Sequence, residues 1–308
     1  MSGVRTLDTR NAEPARSGRD YVDVPDLPRS GPLGQIFLKA LTDDGGAVVT
    51  TGPAPSTDGG TLRIHQSTVG TLRGKTFTPF PQPVAGPARS AVHLDTAGRH
   101  TAWMETTSTD LDELDWMVFL YDARTRRTRL LGDSRDVAPV RPLAAVGETD
   151  PSVGSREVFW AATAPRGQGG FDDLILGAPL DGPGTMRKVV VGGYYPAADG
   201  TDLLYVSSTH LDRNEAYSGR VVKRRAGRYE IRRLRGGRTT VVASGVLAAD
   251  QSVSGLTAHN GSVAYVVSSR AAAASTLVLL EPGGKRTNIR LDHSGGSFSV
   301  ELSDRLLA

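Results

Sequence analysis

The chain has 308 residues, no cysteine and a formal net charge of +3 at pH 7. The lack of cysteine excludes disulfides, thiolate metal sites and cysteine nucleophiles, and so mild a charge gives no argument by itself for a nucleic-acid partner. No stretch approaches the ~18 consecutive apolar residues of a membrane-spanning helix, and positions 1–18 lack the apolar region of a signal peptide.

Short strand-like segments stand at both ends of the chain. The first pair covers 4–9 and 19–25, and the second pair covers 297–302 and 305–308. We expect the two pairs to form one shared four-stranded sheet. Such a sheet would close a ring of sheets and hide the edges that otherwise invite aggregation.

Between the ends one motif recurs, a small polar turn with Asp, Asn or Gly followed by a short apolar run that Ser or Thr closes. Its complete copies are 41–51, 94–107, 152–163, 196–209 and 258–269, and 300–308 begins another. A β-rich repeat with a period of roughly 40–50 residues is typical of the blades of a β-propeller.

Each motif is followed by two further strand-like runs that a Gly- or Pro-containing turn separates. Glycine tolerates the positive φ that hairpin turns need, so these runs predict outer hairpins. The predicted pairs are 61–67 with 75–80, 116–123 with 127–132, 173–179 with 186–191, 228–234 with 238–244, and 276–281 with 286–291.

These patterns predict an all-β fold, a single-domain six-bladed β-propeller with four-stranded antiparallel blades; a seven-bladed ring is the alternative. The predicted domain covers 1–308, with blades at 33–82, 90–134, 139–192, 194–246, 252–292, and 297–308 together with 4–26. Trp103 and Trp160 hold equivalent places in neighbouring blades, so we expect them to pack between blades, with Phe159, Tyr205 and Tyr265 also in the core.

The recurring units, such as PAADGTDLLYVSS at 196–208, resemble the repeats of the TolB-like family of six-bladed propellers. No copy carries the full Ser-Pro-Asp-Gly-Lys consensus of those repeats. The resemblance implies the fold, an extracytoplasmic setting and a protein or ligand bound on one face. It transfers no catalytic residue, because a shared fold does not carry function with it.

In a propeller, the loops between second and third strands emerge on one face, and here three of them are long and polar: 106–115, 164–172 and 209–220. Loops on a rigid scaffold are where binding residues concentrate. The predicted partner-binding residues are Asp110, Asp112, Glu113, Asp115, Arg166, Phe171, His210, Asp212, Arg213, Asn214 and Tyr217.

These loops allow more than one ligand. The acidic loop favours a basic partner; a calcium site is the alternative, although the loop lacks the Gly and the distal Glu of an EF-hand. The mixed side chains of 209–220 suit a peptide or a sugar. A glycan-binding module would need exposed aromatic side chains, and Phe171 and Tyr217 are the loop aromatics available.

The fourth predicted blade is rich in arginine. Its basic residues are Lys223, Arg224, Arg225, Arg228, Arg232, Arg233, Arg235 and Arg238. A nucleic-acid surface would interleave aromatic side chains among such residues for base stacking, and Tyr229 is alone among them. Charges on outer strands also block unwanted strand pairing, so we do not expect a nucleic-acid partner.

No catalytic motif is present, neither His-Glu-x-x-His, Gly-x-Ser-x-Gly nor a P-loop. His93 and His259 lie near the starts of inner motifs and could face the channel, where a metal would be bound. The sequence therefore favours a non-enzymatic module that binds a protein or peptide through its loops, with no cofactor. The alternatives are a hydrolase or lyase with a divalent cation in the central channel, and a glycan-binding module.

Overall fold

A computed structural model describes residues 4–8, 30–31, 34–41, 47–52, 56–58, 61–63, 67–84, 89–107, 115–138, 150–165, 170–210, 225–269, 274–292 and 302. Within these ranges the chain is built from antiparallel sheets of consecutive strands, which we call blades 1 to 5. No helix within the described residues has the length and apolar character needed to cross a membrane.

The strands are assigned to blades in chain order. Blade 1 contains β2 (Ser30–Gly31), β3 (Gly34–Leu41), β4 (Ala47–Gly52), β7 (Thr68–Arg73) and β8 (Thr76–Pro79), with a separate hairpin of β5 (Ser56–Asp58) and β6 (Thr61–Arg63). Blade 2 contains β9 (Ser90–Ala97), β10 (His100–Thr106), β11 (Met117–Asp122) and β12 (Arg127–Asp133).

The remaining blades follow the same plan. Blade 3 contains β13 (Ser152–Val153), β14 (Glu157–Pro165), β15 (Phe171–Pro179) and β16 (Arg187–Val191). Blade 4 contains β17 (Tyr194–Asp199), β18 (Asp202–Ser208), β19 (Gly227–Arg235) and β20 (Arg238–Leu247). Blade 5 contains β21 (Gln251–His259), β22 (Ser262–Ser269), β23 (Ala274–Leu280) and β24 (Arg286–Asp292), and β1 (Val4–Asp8) is added beside β24.

The inner strands of successive blades touch: β3 contacts β9, β9 contacts β13, β13 contacts β17, and β17 contacts β21. Side chains alternate between the two faces of a strand, so each blade packs one apolar face against each neighbour. Trp160 of blade 3 meets Trp116 of blade 2 edge-on, with ring centroids 6.3 Å apart. Trp103 packs on the opposite face of blade 2, against Phe80. The predicted role of Trp103 and Trp160 between blades is confirmed.

The turns between first and second strands lie together on one side, the turn face. Backbone hydrogen bonds and side-chain bonds join them from blade to blade: Ser155 donates its N–H to the carbonyl of Gly200, and Gly261 donates its N–H to Asp199. Gly200 has a φ of 62°, a conformation that favours glycine. The ends of the second strands and the starts of the third strands form the opposite side, the loop face.

The outer hairpins predicted for blades 2 to 5 are confirmed, and the one in blade 1 is wrong. The partner of β8 is β7 (Thr68–Arg73) rather than the run at 61–67, whose first residues pair with β5 instead. The reason is local: Gly74 has a φ of 55°, so the chain reverses immediately after Arg73.

The predicted place of the N-terminal strand is also wrong. β1 (Val4–Asp8) pairs in parallel with β24 of blade 5, from Val4 opposite Arg286 to Asp8 opposite Arg290. We expected it beside 297–308. The register of β24 with β23 is unbroken, so β24 presents a straight edge to which an extra strand can bond. The second N-terminal segment, 19–25, lies outside the described residues.

Candidate functional site

A β-bulge in blade 2 turns His93 toward blade 3. The pairing of β9 with β10 shifts between Met104 and Glu105, where Val92 is the additional residue of β9. An additional residue moves every later side chain to the other face of the sheet. His93 consequently stands opposite Met104, whose side chain packs in the core that blades 2 and 3 share.

His93 meets an acidic side chain of the next blade. Its Nδ1 is in direct contact with Oδ1 of Asp150, which lies two positions before β13 (Ser152–Val153). The two side chains are 30% and 50% exposed, respectively. The pair therefore bridges the inner strands of two blades and remains open to solvent, as a binding or reactive centre must.

A carboxylate at Nδ1 of an imidazole has a defined chemical effect. It accepts a hydrogen bond from Nδ1–H and fixes the orientation of the ring, so Nε2 is the nitrogen left for other contacts. An imidazole held in this way can act as a general base at Nε2, and as a general acid in the reverse step.

The other inner-strand histidine lies at the opposite end of the molecule. His259 is the last residue of β21, and its Nε2 is 3.2 Å from Nδ2 of Asn260. Asn260 has a φ of 49° in the following turn, so His259 belongs to the turn face. His93 is near the start of β9, and the two histidines do not contribute to one site.

A buried carboxylate lies on the other face of blade 2, toward blade 1. Glu105, 2% exposed, accepts hydrogen bonds from Nε of Arg89 at 3.0 Å, from Nε1 of Trp103 at 2.8 Å and from Nε2 of Gln82. Arg89 also donates to the carbonyl of Val84 at 2.9 Å. Because every partner belongs to the protein, this cluster fixes the connection from blade 1 to blade 2 rather than presenting a reactive group.

Of the predicted partner-binding residues, Asp115, Phe171 and His210 are described. Asp115 accepts hydrogen bonds from the hydroxyl of Thr106 and the N–H of Thr107, at 3.1 and 2.8 Å, and so closes the base of its loop. Phe171 is 1% exposed and His210 is 2% exposed. Both side chains are covered in this structure, because Phe171 begins a core strand and the segment 225–228 is hydrogen-bonded to 209–210. Their role in binding a partner stays a prediction.

The other predicted partner-binding residues cannot be placed in the structure. Asp110, Asp112, Glu113, Arg166, Asp212, Arg213, Asn214 and Tyr217 lie outside the described residues. The described residues contain no group of three or more His, Cys, Asp or Glu that could hold a metal ion. Within that part of the chain, His93 and Asp150 together supply two ligand side chains, fewer than a protein metal site requires.

Three arginines of blade 4 form ion pairs within the blade. The side chain of Asp202 is 3% exposed and forms ion pairs with both Arg233 and Arg235. Arg232 bonds to Glu230, and that hydrogen bond is the main cause of the raised pKa of Arg232. Whether the basic residues of this blade also meet a partner stays open to experiment.

Sequence reasoning singled out His93 but missed Asp150. The two residues come from different repeats, and 140–149 before Asp150 carry no motif. The sequence of β9 did contain a signal for the bulge that orients His93. Ala91 and Leu94 are apolar residues three positions apart, with Val92 and His93 between them. Strict alternation fails there, as it does at a bulge.

Comparisons with known proteins give a resemblance of fold. No family model matches the chain, and no curated protein does. Among solved structures, an oligogalacturonate lyase in complex with manganese matches at 12% identity over 86% of this chain and 66% of its own, with a TM-score of 0.47. A prolyl endopeptidase matches at 13% identity over 88% of this chain and 37% of its own, with a TM-score of 0.48.

A β-propeller domain of the Trilobed protease from Pyrococcus furiosus matches at 9% identity over 87% of this chain and 89% of its own, with a TM-score of 0.37. The chain thus resembles propeller proteins. It spans 39% of the length of an isopeptidase that it also matches. With identities of 9–13% and TM-scores below 0.5, these matches say nothing about the activity of this chain or about individual site residues.

Proposed function

We propose that this chain is a β-propeller with hydrolase or lyase activity on the loop side of its channel, and that His93 is its acid–base residue. The observation that carries the proposal is the contact of His93 with Asp150 across two inner strands. Hydrolysis needs a base that activates water, and elimination needs a base that removes a proton beside a carbonyl. A carboxylate-oriented imidazole supplies either.

The chemical roles follow from the geometry. Asp150 holds the Nδ1 proton and the ring orientation, and Nε2 of His93 accepts the proton of water or substrate. Blade 2 and blade 3 hold the two groups in place, because the core between them contains Trp116 and Trp160, each at most 2% exposed. A rigid scaffold of this kind preserves the catalytic distance without help from the loops.

The six-bladed ring is the second part of the proposal. The faces of blade 1 and blade 5 that look away from their neighbours hold separate apolar clusters, and both are buried: Val49 is 0% exposed and Val266 is 1% exposed. Something must cover each face, and Leu302 packs on that of blade 5. A sixth blade that includes the C-terminal residues accounts for both observations within a single domain over 1–308.

Recognition of a protein or peptide through 106–115, 164–172 and 209–220 stays a prediction of the sequence, as do the TolB-like assignment and the extracytoplasmic setting. It is compatible with the enzyme, because loops that emerge on the face of His93 would select the substrate. A bound divalent cation is likewise left to experiment, and no chemical step here depends on one.

The test is a panel of substrates offered to the full chain: nitrophenyl esters, peptide amides and uronic-acid oligosaccharides. We expect turnover of one class and a loss of at least ~100-fold in kcat/KM for His93→Ala and His93→Gln, the usual contribution of a general base. His259→Ala is the matched control and should keep full activity, since it lies on the turn face.

Two results would overturn the proposal. One is undiminished turnover by folded His93→Ala, and the other is a wild-type chain that turns over none of the three classes. A parallel series with EDTA, followed by added manganese or calcium, decides the cation: activity that is lost and then restored assigns one to the site, and unchanged activity removes it.

A further inference from the structure

The outer edge of each blade is a row of unpaired backbone groups that can bond to another chain. Natural sheets blunt such edges with short strands, proline, bulges or a covering segment. Blade 1 ends in β8 (Thr76–Pro79), which is 4 residues long and stops at a proline. That edge is protected by its length and by Pro79.

Blades 2, 3 and 4 protect their edges with a bulge at equivalent places. The pairing of the third with the fourth strand shifts in each of them, and the additional residues of the outer strands are Leu131, Val189 and Val242. A bulge disrupts the ladder and twists the strand. A straight strand from another molecule therefore cannot pair along these edges.

Blade 5 has no such device. The register of β23 with β24 runs without a shift from Ala274 opposite Asp292 to Leu280 opposite Arg286, and the strand is 7 residues long without proline. Its outer edge is covered instead by β1 (Val4–Asp8). In blade 5, β1 protects the outer edge from pairing with another chain, as the bulges do in blades 2, 3 and 4.

The covering strand is short and parallel. The pairing of β1 is parallel and extends over five residue pairs, and parallel ladders are slightly less stable per residue than antiparallel ones. The sequence between β1 and β2, residues 9–29, is long enough to cover about 70 Å if fully extended at ~3.3 Å per residue. The radius of gyration of a domain of this size is roughly 19 Å, so β1 can reach an edge on a neighbouring molecule.

We propose that β24 is a strand-accepting edge and that it takes β1 from a second copy of this chain, so that copies exchange Val4–Asp8. The occupant is known to fit, because the same segment already pairs with β24 in register. Exchange of an identical element is a low-cost route to dimers, since every bond lost in one copy is regained in the other. The edge is separate from the loop-face site.

The probe is a fluorescein-labelled peptide with the sequence of residues 1–12. The acceptor is the full chain carrying Thr6→Pro and Leu7→Pro, whose own β1 cannot form the ladder. We expect the peptide to bind this variant at least tenfold more tightly than wild type, where the native strand competes. A scrambled peptide is the control. If the double variant fails to fold by circular dichroism, a chain that lacks residues 1–9 replaces it.

The exchange of β1 between copies is detected as an increase in molecular mass from monomer to dimer. Wild type refolded at rising concentration should yield a growing dimer fraction by light scattering, and the proline variant should remain a monomer. The proposal is overturned if a folded acceptor binds no peptide, or binds the scrambled peptide equally well. It is overturned too if wild type stays monomeric at every concentration, or if the proline variant dimerises to the same extent.

Discussion

Replacing the buried Glu105 with alanine should destabilise the protein strongly. The carboxylate is the partner of Arg89, whose side chain is 7% exposed, at 3.0 Å. Its removal leaves the guanidinium in the interior without its carboxylate partner; within the part of the chain that the structure describes, the carbonyl of Val84 remains as an acceptor. Breaking a buried ion pair from one side costs about 3–5 kcal/mol, because the remaining charge is uncompensated. With an m-value of about 3 kcal/mol/M, the urea midpoint should fall by roughly 1–2 M.

The assay is equilibrium unfolding in urea, followed by tryptophan fluorescence, since Trp103 donates to the same carboxylate. A double variant, Arg89→Met with Glu105→Met, is the control that separates charge from packing. It should recover most of the loss, because a buried pair replaced by apolar side chains is often neutral. A fall of less than ~1 kcal/mol for Glu105→Ala, or a double variant as unstable as the single one, would refute this reasoning.

Three further predictions concern the seams between blades. Trp160→Ala should cost about 3–5 kcal/mol in urea unfolding, as for other fully buried large side chains, because Trp160 is 0% exposed; a loss below ~1 kcal/mol would contradict its place in the core. Asp95→Ala should cost about 1–3 kcal/mol, since Asp95 accepts the N–H of Val153 of the next blade at 2.7 Å; an unchanged midpoint would remove that link. Burial, followed by the charge of Arg99, lowers the pKa of His100, so its contribution to stability is complete above the ordinary imidazole pKa and is lost as pH falls below it. His100→Gln should flatten the pH dependence of the urea midpoint in that acidic range, and an unaltered profile would show that His100 does not contribute.

Much of the fold was predictable because its signals are local. Gly98 and Gly200 take φ values of 56° and 62° between first and second strands, where the sequence places its small polar turns. The apolar runs after those turns became fully buried second strands, as Trp103 and Trp160 illustrate. The alternation of apolar residues and the residue types of turns depend only on neighbouring positions, so both can be recognised in the sequence without the tertiary structure.

The rest depends on contacts between distant residues. The docking of β1 on β24 is decided by which edge of the sheet is unbulged, and a bulge is set by two strands together. Phe171 and His210 are buried because they lie at the base of their loops, against the ends of the strands. The polarity and the length of a loop do not reveal which of its residues lie at the base. The contact of His93 with Asp150 requires both the bulge in blade 2 and the approach of blade 3.

The central claim is that Asp150 orients His93 for proton transfer at Nε2, and chemical modification tests it directly. Diethyl pyrocarbonate reacts with an unprotonated imidazole nitrogen, and peptide mass spectrometry gives a separate rate for each histidine. At a pH at which both imidazoles are unprotonated, we predict that His93 is modified faster than His259 in wild type, and that Asp150→Asn slows His93 while leaving His259 unchanged. A rate at His93 that does not respond to Asp150→Asn would contradict the assignment of this pair as the reactive centre.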